Sequence, residues 1–162
     1  MFEETRQQVQ SVAELEALLR RVAADVRSEN GARPNTSAAS EEYLKKGRSI
    51  VELIHRLERE YVRLTGDSPA VRKRAKSRVY EFVQHTTGLS RDSVNLYARC
   101  YEKFAGMPEA LDLRISDMQL LLPDDADADL IGYIAERRRD TPDLRREEVR
   151  ELIREYRMVR LE

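Results

Sequence analysis

The chain has 162 residues, of which 41% are hydrophobic and 36% are charged, and its formal net charge is −1. This length suits one domain, or one domain with an extension. The sequence has only 6 Gly and 5 Pro, and no stretch alternates apolar with polar residues, so we predict an all-α protein with essentially no sheet.

The expected location follows from features that the sequence lacks. A single cysteine, Cys100, excludes an internal disulfide and fits a reducing cytosol. The N-terminal segment MFEETRQQVQ is polar and acidic, unlike a signal peptide, and no apolar run approaches the ~20 residues needed to cross a bilayer. We therefore expect a cytoplasmic protein without a membrane partner.

Two long helices are expected in the N-terminal part of the chain. The first runs from about Thr5 to Asn30. The segment from about residue 30 to residue 40 is rich in Gly, Pro, Asn and Ser and is expected to form a flexible loop. The second starts near Ser40, with Ser40 as its N-cap, and ends at Thr65. Both carry apolar residues at alternating steps of three and four, which is heptad spacing. Those that we assign to dimerisation are Val12, Leu15, Leu19, Val22, Val26, Ile50, Ile54 and Leu57.

These heptad stripes leave three arrangements open. The two helices could form a hairpin, could pair between subunits in a bundle, or could be ordinary amphipathic core helices. We interpret residues 1–66 as an N-terminal helical dimerisation region, built as a long-helix hairpin or a coiled-coil-like extension, and residues 67–162 as a second, helix-turn-helix domain.

Charge is distributed unevenly along the chain, which matters more for phosphate binding than the total. From Pro69 to Phe104 eight basic residues stand against three acidic ones, whereas from Ala105 to Leu130 one basic residue stands against seven acidic ones. The basic residues concentrate at the start of a third helix, where they could be a solvated face or could touch the DNA backbone. The residues assigned to phosphate contact are Arg72, Lys73, Arg74, Lys76, Arg78, Ser90 and Lys103.

Residues 77–104 predict two helices with a tight break between them. The first carries Val79 and Val83 on one face, and Gly88 ends it because Gly reaches the left-handed conformation without a Cβ clash. Ser90 is the expected N-cap of the second helix. A helix, a Gly-containing turn and a second helix with donor-rich side chains form the pattern of a helix-turn-helix, whose second helix can enter a DNA major groove.

Four side chains of that second helix have the reach and the donors for base edges, namely Arg91, Ser93, Asn95 and Arg99. Asn can bond adenine through two hydrogen bonds, and Arg can bond guanine in the same way. Arg91, at the start of the helix, could instead hold a phosphate.

Shorter elements are expected after Phe104. They are a helix from Pro108 to Leu113, a helix capped by Ser116 and ending at Pro123, a helix that begins in the acidic residues 124–129, and a last helix opened by Thr141 and Pro142.

The order of these segments resembles the helix-turn-helix domain of the ParB and KorB family of plasmid and chromosome partition proteins. The resemblance covers roughly Ala75 to Tyr156 and rests on GLSRDSVNLYARCYEKF, GMPEALD and LRISDMQLLLPDD, followed by a closing helix. It implies an all-helical DNA-binding domain whose recognition helix is Ser90 to Phe104. The preceding residues lack the arginine-rich nucleotide-binding domain of that family, so the resemblance does not extend to nucleotide hydrolysis or DNA sliding.

No pattern in the sequence indicates catalysis. The two histidines, His55 and His85, lack the spacing of a zinc site, and no Gly-rich phosphate loop or nucleophile motif occurs. We therefore expect no enzyme activity, no catalytic or metal-binding residues, no cofactor and no small-molecule substrate.

These features predict a sequence-specific DNA-binding protein whose partners are double-stranded DNA and a second copy of the chain. Its role would be that of a dimeric transcriptional regulator or a plasmid or mobile-element partition factor. A helical adaptor that binds a partner protein through its heptad stripes is the main alternative. A further one is an accessory factor of recombination or partition that binds DNA within a larger complex.

Overall fold

The computed structural model describes the backbone of residues 2–27 and 37–161, and the side chains of residues 13–26 and 37–161. These residues form seven α-helices and, between the fourth and the fifth, a 3-10 helix at Pro108–Asp112. The α-helices are α1 Phe2–Arg27, α2 Ser37–Thr65, α3 Pro69–Thr87, α4 Arg91–Phe104, α5 Ile115–Leu120, α6 Ala128–Asp140 and α7 Arg146–Val159. The described residues contain no strand, which confirms the all-α class, and none of their helices is long and apolar enough to cross a membrane.

The described residues group into two compact units. The first unit contains α1, α2 from Lys45 onward, α3, and α4 as far as Ala98. The second contains α2 up to Leu44, α4 from Arg99, and the described residues that follow. This grouping keeps α3 with the N-terminal helices, whereas the sequence placed the division between residues 66 and 67.

In the first unit, α1 packs against α3 and forms a hairpin with α2. Glu14 accepts a bond from Arg56 at 3.0 Å, Glu52 accepts one from Arg21 at 2.6 Å, and Asp25 accepts one from the Ser49 hydroxyl at 2.6 Å. Positions in α2 fall as positions in α1 rise, so the two helices run antiparallel. The buried apolar side chains of this unit include Val22, Val26, Ile50, Leu53, Ile54, Ala75, Val79, Val83, Val94 and Ala98.

The heptad stripes are therefore mostly covered within the chain itself. Of the residues assigned to dimerisation, Val22, Val26, Ile50 and Ile54 are buried, while Leu15, Leu19 and Leu57 stay partly exposed. Burial of the first four fits both the hairpin and ordinary core helices, two of the three arrangements that the sequence left open. The side chain of Val12 lies outside the described residues.

Two predicted boundaries in the N-terminal part are wrong. Helix α1 begins at Phe2 rather than at about Thr5, and its expected end at Asn30 lies outside the described residues. Helix α2 begins at Ser37, so residues 37–40 belong to a helix and not to the predicted loop. The other positions of that loop, 30–36, lie outside the described residues. Ser40 is no N-cap, since it is buried and its hydroxyl donates to the Leu113 carbonyl oxygen at 2.6 Å.

Helices α5 and α7 of the second unit also start at residues other than those predicted, and in both a carboxylate side chain sets the start. Ser116 lies inside α5, because the Asp117 carboxylate accepts the backbone N–H of Arg114 at 3.0 Å and starts the helix before it. Helix α7 begins at Arg146, where Glu148 accepts the N–H of Arg145 at 2.7 Å, rather than at residues 141–142. A carboxylate three residues into a helix satisfies an unpaired N–H at its start.

The second unit packs α6 against the 3-10 helix and α7, and α5 against α7. Its fully buried side chains include Phe104, Leu113, Met118, Leu121, Leu130, Ile131 and Ile134. Arg138 is buried among them and donates two bonds to the Asp117 carboxylate, at 2.9 and 2.8 Å. A further nitrogen of Arg138 donates to the carbonyl oxygens of Pro142 at 3.1 Å and Leu144 at 2.8 Å. This ion pair fixes α5, α6 and the segment before α7 to one another.

Candidate nucleic-acid interface

The junction between α3 and α4 is built as the sequence predicts. Gly88 ends α3 with a left-handed backbone, φ 75°, and its N–H donates to the Gln84 carbonyl oxygen at 2.8 Å. Ser90 caps α4, since its hydroxyl oxygen accepts the N–H of Ser93 at 3.2 Å. At the other end of α3, Ser68 accepts the N–H of Val71 at 3.2 Å ahead of Pro69. Three residues, 88–90, therefore connect two well-terminated helices; whether this pair acts as a DNA-binding helix-turn-helix stays a prediction.

Tyr80 joins these two helices. Its side chain is buried, with 3% of its surface exposed, and its hydroxyl donates to the Oδ1 atom of Asn95 at 3.0 Å. The Lys76 ammonium lies 5.6 Å from the centre of the Tyr80 ring, and the Arg91 guanidinium lies 5.2 Å from it. Both distances fall within the range of cation–π attraction, about 6 Å. One aromatic side chain of α3 therefore contacts residues predicted to bind phosphate and bases.

These contacts surround a groove on the first unit, which we call the Tyr80 groove. It has a volume of about 370 Å³ and is lined by Lys73, Lys76, Ser77, Tyr80, Arg91, Asp92 and Asn95. Three of these side chains are cationic and one is anionic, so the groove favours an anion. Arg91 also lies 3.5 Å from the Ser77 hydroxyl, which brings the start of α4 against α3.

The remaining basic residues of α3 differ in how they are engaged. Arg72 donates to both carboxylate oxygens of Asp67, at 3.0 and 2.7 Å, and this pairing lowers the pKa of Asp67 and raises that of Arg72. Arg78 approaches Glu81 at 3.5 Å, and Arg74 is exposed. To contact DNA, Arg72 and Arg78 would each have to leave a carboxylate partner for a phosphate. Lys73 and Lys76 instead line the Tyr80 groove.

Two predicted DNA contacts, Arg99 and Lys103, belong to the second unit. The Lys103 ammonium donates to the carbonyl oxygens of Leu122 at 3.3 Å and Pro123 at 2.7 Å, a structural use that the sequence did not predict. Burial lowers the pKa of Lys103, although Asp124 and Asp125 act in the opposite direction.

Arg99 is exposed at a separate groove of about 310 Å³, which Glu102 and Asp124 also line. Ser93 is half-buried in the first unit and accepts a bond from the Ser90 hydroxyl at 3.0 Å. The structure thus brings Lys73, Lys76, Arg91 and Asn95 to one groove, and it does not bring Arg99 or Lys103 to the same lining.

Three residues that line the groove, Ser77, Tyr80 and Asp92, are not indicated as site residues by the sequence, and Tyr80 is the one that joins the two helices. Its neighbours Val79 and Val83 follow the helical apolar pattern, but nothing in the pattern indicates that a Tyr between them would bond a residue fifteen positions later. A buried Tyr usually finds a partner for its hydroxyl, and a donor-rich helix following α3 was the available signal.

Other reactive groups are few in the described part of the chain. Residues 13–26 and 37–161 contain no group of three His, Cys, Asp or Glu side chains that could hold a metal ion. Cys100 is fully buried, and burial raises the pKa of its thiol to about 12. A thiol in this state is a poor nucleophile at neutral pH, since the thiolate is the reactive form.

Comparison with known proteins assigns no family. No family model matches the chain, and neither does any curated protein or solved structure. A functional proposal therefore rests on the residues of the Tyr80 groove and their surroundings.

Proposed function

We propose that the chain binds double-stranded DNA in a sequence-specific manner, with α4 in the major groove and the start of α3 along the phosphate backbone. The observation that supports this proposal is the Tyr80 groove, where three cations and one amide meet at the junction of the two helices. The biological role proposed with it is that of a cytoplasmic transcriptional regulator or partition-type factor.

The cations of the groove suit phosphate contact. Lys73 and Lys76 are exposed on α3, and Arg91 is exposed at the first position of α4. Lysine and arginine near a DNA backbone supply affinity through release of counterions, independently of sequence. Because Arg91 is held over the Tyr80 ring and beside Ser77, we assign it to a phosphate rather than to a base.

The base contact is assigned to Asn95. It is one turn further along α4 than Arg91, it is half-buried at the edge of the groove, and it carries both a donor and an acceptor. Contacts to base edges carry sequence information that phosphate contacts do not. Ser93 and Arg99 are further candidates on the same helix.

A dimer is part of the proposal. Leu15, Leu19 and Leu57 keep apolar surface exposed on the hairpin of α1 and α2, and a second copy of the chain could cover it. A dimer would present two α4 helices to half-sites about 34 Å apart, one turn of DNA.

The test is selection of double-stranded DNA from a random library, followed by a salt titration of binding to the selected sequence. We compare the double variant Lys73→Ala, Lys76→Ala with a control of equal charge change, Lys45→Ala, Arg59→Ala, on exposed positions of α2. The slope of log affinity against log salt should flatten by about 0.9 for each phosphate contact that is lost.

The control should keep the slope of the parent. Failure of the parent to enrich any DNA sequence would refute the proposal and favour the helical adaptor. Equal slopes in the two double variants would remove Lys73 and Lys76 from the interface.

A further inference from the structure

We propose that Tyr80 positions the Asn95 amide so that it offers N–H donors to DNA, and that α4 therefore selects guanine or thymine rather than adenine, whose N6 group is itself a donor. This inference rests on the proposed function and specifies which base the same site reads. It concerns one position in each half-site.

The orientation of the amide follows from the hydrogen bond between the two helices. The Asn95 Oδ1 atom accepts the Tyr80 hydroxyl at 3.0 Å, so the oxygen end of the amide is turned toward α3. The Nδ2 group at the other end of the planar amide then points away from that hydroxyl. Tyr80 is 3% exposed and sits within a packed helix, so the hydroxyl is a fixed anchor and Asn95 is the side chain that adapts.

This orientation changes which base the residue can read. Asn recognises adenine through two bonds, in which its oxygen accepts from N6 and its nitrogen donates to N7. Because the Asn95 oxygen is turned toward Tyr80 on α3, it points away from the place where it would accept the first of these bonds. Guanine presents two acceptors, O6 and N7, and thymine presents O4, so both match an amide that offers N–H groups.

The change Tyr80→Phe isolates the hydroxyl. The ring remains, and with it the positions of Lys76 and Arg91, which lie 5.6 and 5.2 Å from its centre. Tyr133→Phe is the matched control, because Tyr133 lies in the second unit and also stacks with an arginine, Arg137, at 5.8 Å. Tyr80 acts as a positioning residue, so the decisive readout is base preference rather than affinity.

Selection from random duplex DNA is carried out with the parent, with both Tyr→Phe variants, with Asn95→Ala, and with the double variant Tyr80→Phe, Asn95→Ala. At the position whose preference disappears in Asn95→Ala, the parent should select guanine or thymine. Tyr80→Phe should raise the relative frequency of adenine there by about tenfold, within the range that one bidentate contact provides. Tyr133→Phe should reproduce the parent, and Tyr80→Phe should have no further effect once Asn95 is removed.

Adenine selected by the parent at this position, or unchanged preferences in Tyr80→Phe, would overturn the positioning role. The same holds if Tyr80→Phe alters preferences equally with and without Asn95. A measurement without DNA separates this failure from that of the proposed function: the Asn95 side-chain amide signal in a 15N spectrum should move in Tyr80→Phe and stay in place in Tyr133→Phe. A moved signal with no DNA selected overturns the proposed function and the base selection with it, whereas an unmoved signal overturns the positioning role alone.

Discussion

Arg138 is a buried charge whose stability depends on one buried counter-charge, Asp117. It has 5% of its side chain exposed, its partner Asp117 has none, and its remaining donors reach the carbonyl oxygens of Pro142 and Leu144. Taking a guanidinium and a carboxylate out of water costs several kcal/mol for each, and only close pairing offsets this cost. Either member without the other would leave a buried charge unmatched.

We expect Asp117→Asn to reduce the free energy of unfolding by about 3–5 kcal/mol, because Arg138 would keep its charge without a counter-charge. Urea unfolding followed by circular dichroism measures this loss. Asp112→Asn is the control, since its partner Arg139 is 60% exposed at 3.3 Å, and exposed pairs contribute about 1 kcal/mol or less. Similar losses in the two variants would mean that water reaches Arg138.

At the scale of whole elements, the helices are delimited by short-range capping contacts. Gly88 ends α3 with a positive φ, while the side chains of Ser68, Ser90 and Asp127 each accept the N–H of the third residue of α3, α4 and α6. These contacts fix where α3 stops and α4 starts, and hence where Tyr80 and Asn95 meet.

Replacing Gly88 by alanine should destabilise the chain by about 1 kcal/mol, because a Cβ disfavours the left-handed backbone even with no neighbour within 4 Å. Gly132→Ala is the opposite case. Gly132 lies inside α6, where a Cβ meets no atom within 4 Å, and alanine should stabilise the helix by about 1 kcal/mol. Thermal unfolding should show a lower melting temperature for Gly88→Ala and a higher one for Gly132→Ala than for the parent. A lower melting temperature in both variants would contradict the argument from backbone conformation.

The cap of α6 should make stability depend on pH. The N–H of Leu130 and the guanidinium of Arg160 both donate to the Asp127 carboxylate, and they lower its pKa below the ordinary 3.8. A group whose pKa is lower in the folded state adds stability above its unfolded pKa and loses that contribution as the pH falls through the folded one.

Asp127→Asn keeps an oxygen that can cap the helix but removes the charge. We expect the parent to be more stable than this variant at pH 7, and the difference to shrink as the pH is lowered below 3.8. Urea titrations across this range measure both proteins. A difference that persists unchanged in acid would show that the charge of Asp127 is not its source.

At the scale of the whole molecule, periodicity and turn chemistry predict that the helices exist. They also predict the Gly88 end of α3 and the Ser90 cap of α4, which are local features, but they misplace the starts of α1, α2, α5 and α7. Contacts between distant residues could not be read in the same way. The burial of Ser40 against Leu113 and the pairing of Arg138 with Asp117 join positions 73 and 21 residues apart, and no local pattern specifies them. The Tyr80 hydroxyl bond was missed for the same reason. Sequence reasoning therefore named Lys73, Lys76, Arg91 and Asn95 of the groove, but neither Tyr80 nor the way these residues meet.

The proposed dimer makes a prediction about mass. In sedimentation equilibrium the parent should have twice the 18.9 kDa mass of one chain. The variant Leu19→Asp should have the mass of one chain, because a charge on the half-exposed face of α1 opposes burial against a second copy. Leu111→Asp, at a residue 41% exposed on the 3-10 helix, is the control and should keep the parent mass. Val22 is unsuitable for this test, since it is fully buried and a charge there would unfold the chain.

The buried Cys100 gives experimenters a reporter that needs no engineering. It is the only thiol of the chain, it has no exposed surface, and it belongs to the second unit. A thiol reagent can modify it only in molecules that have opened locally or unfolded, so the labelling rate at a fixed pH measures how often that region opens. The first unit carries no thiol, so the labelling rate reports the openings that expose Cys100 near the end of α4.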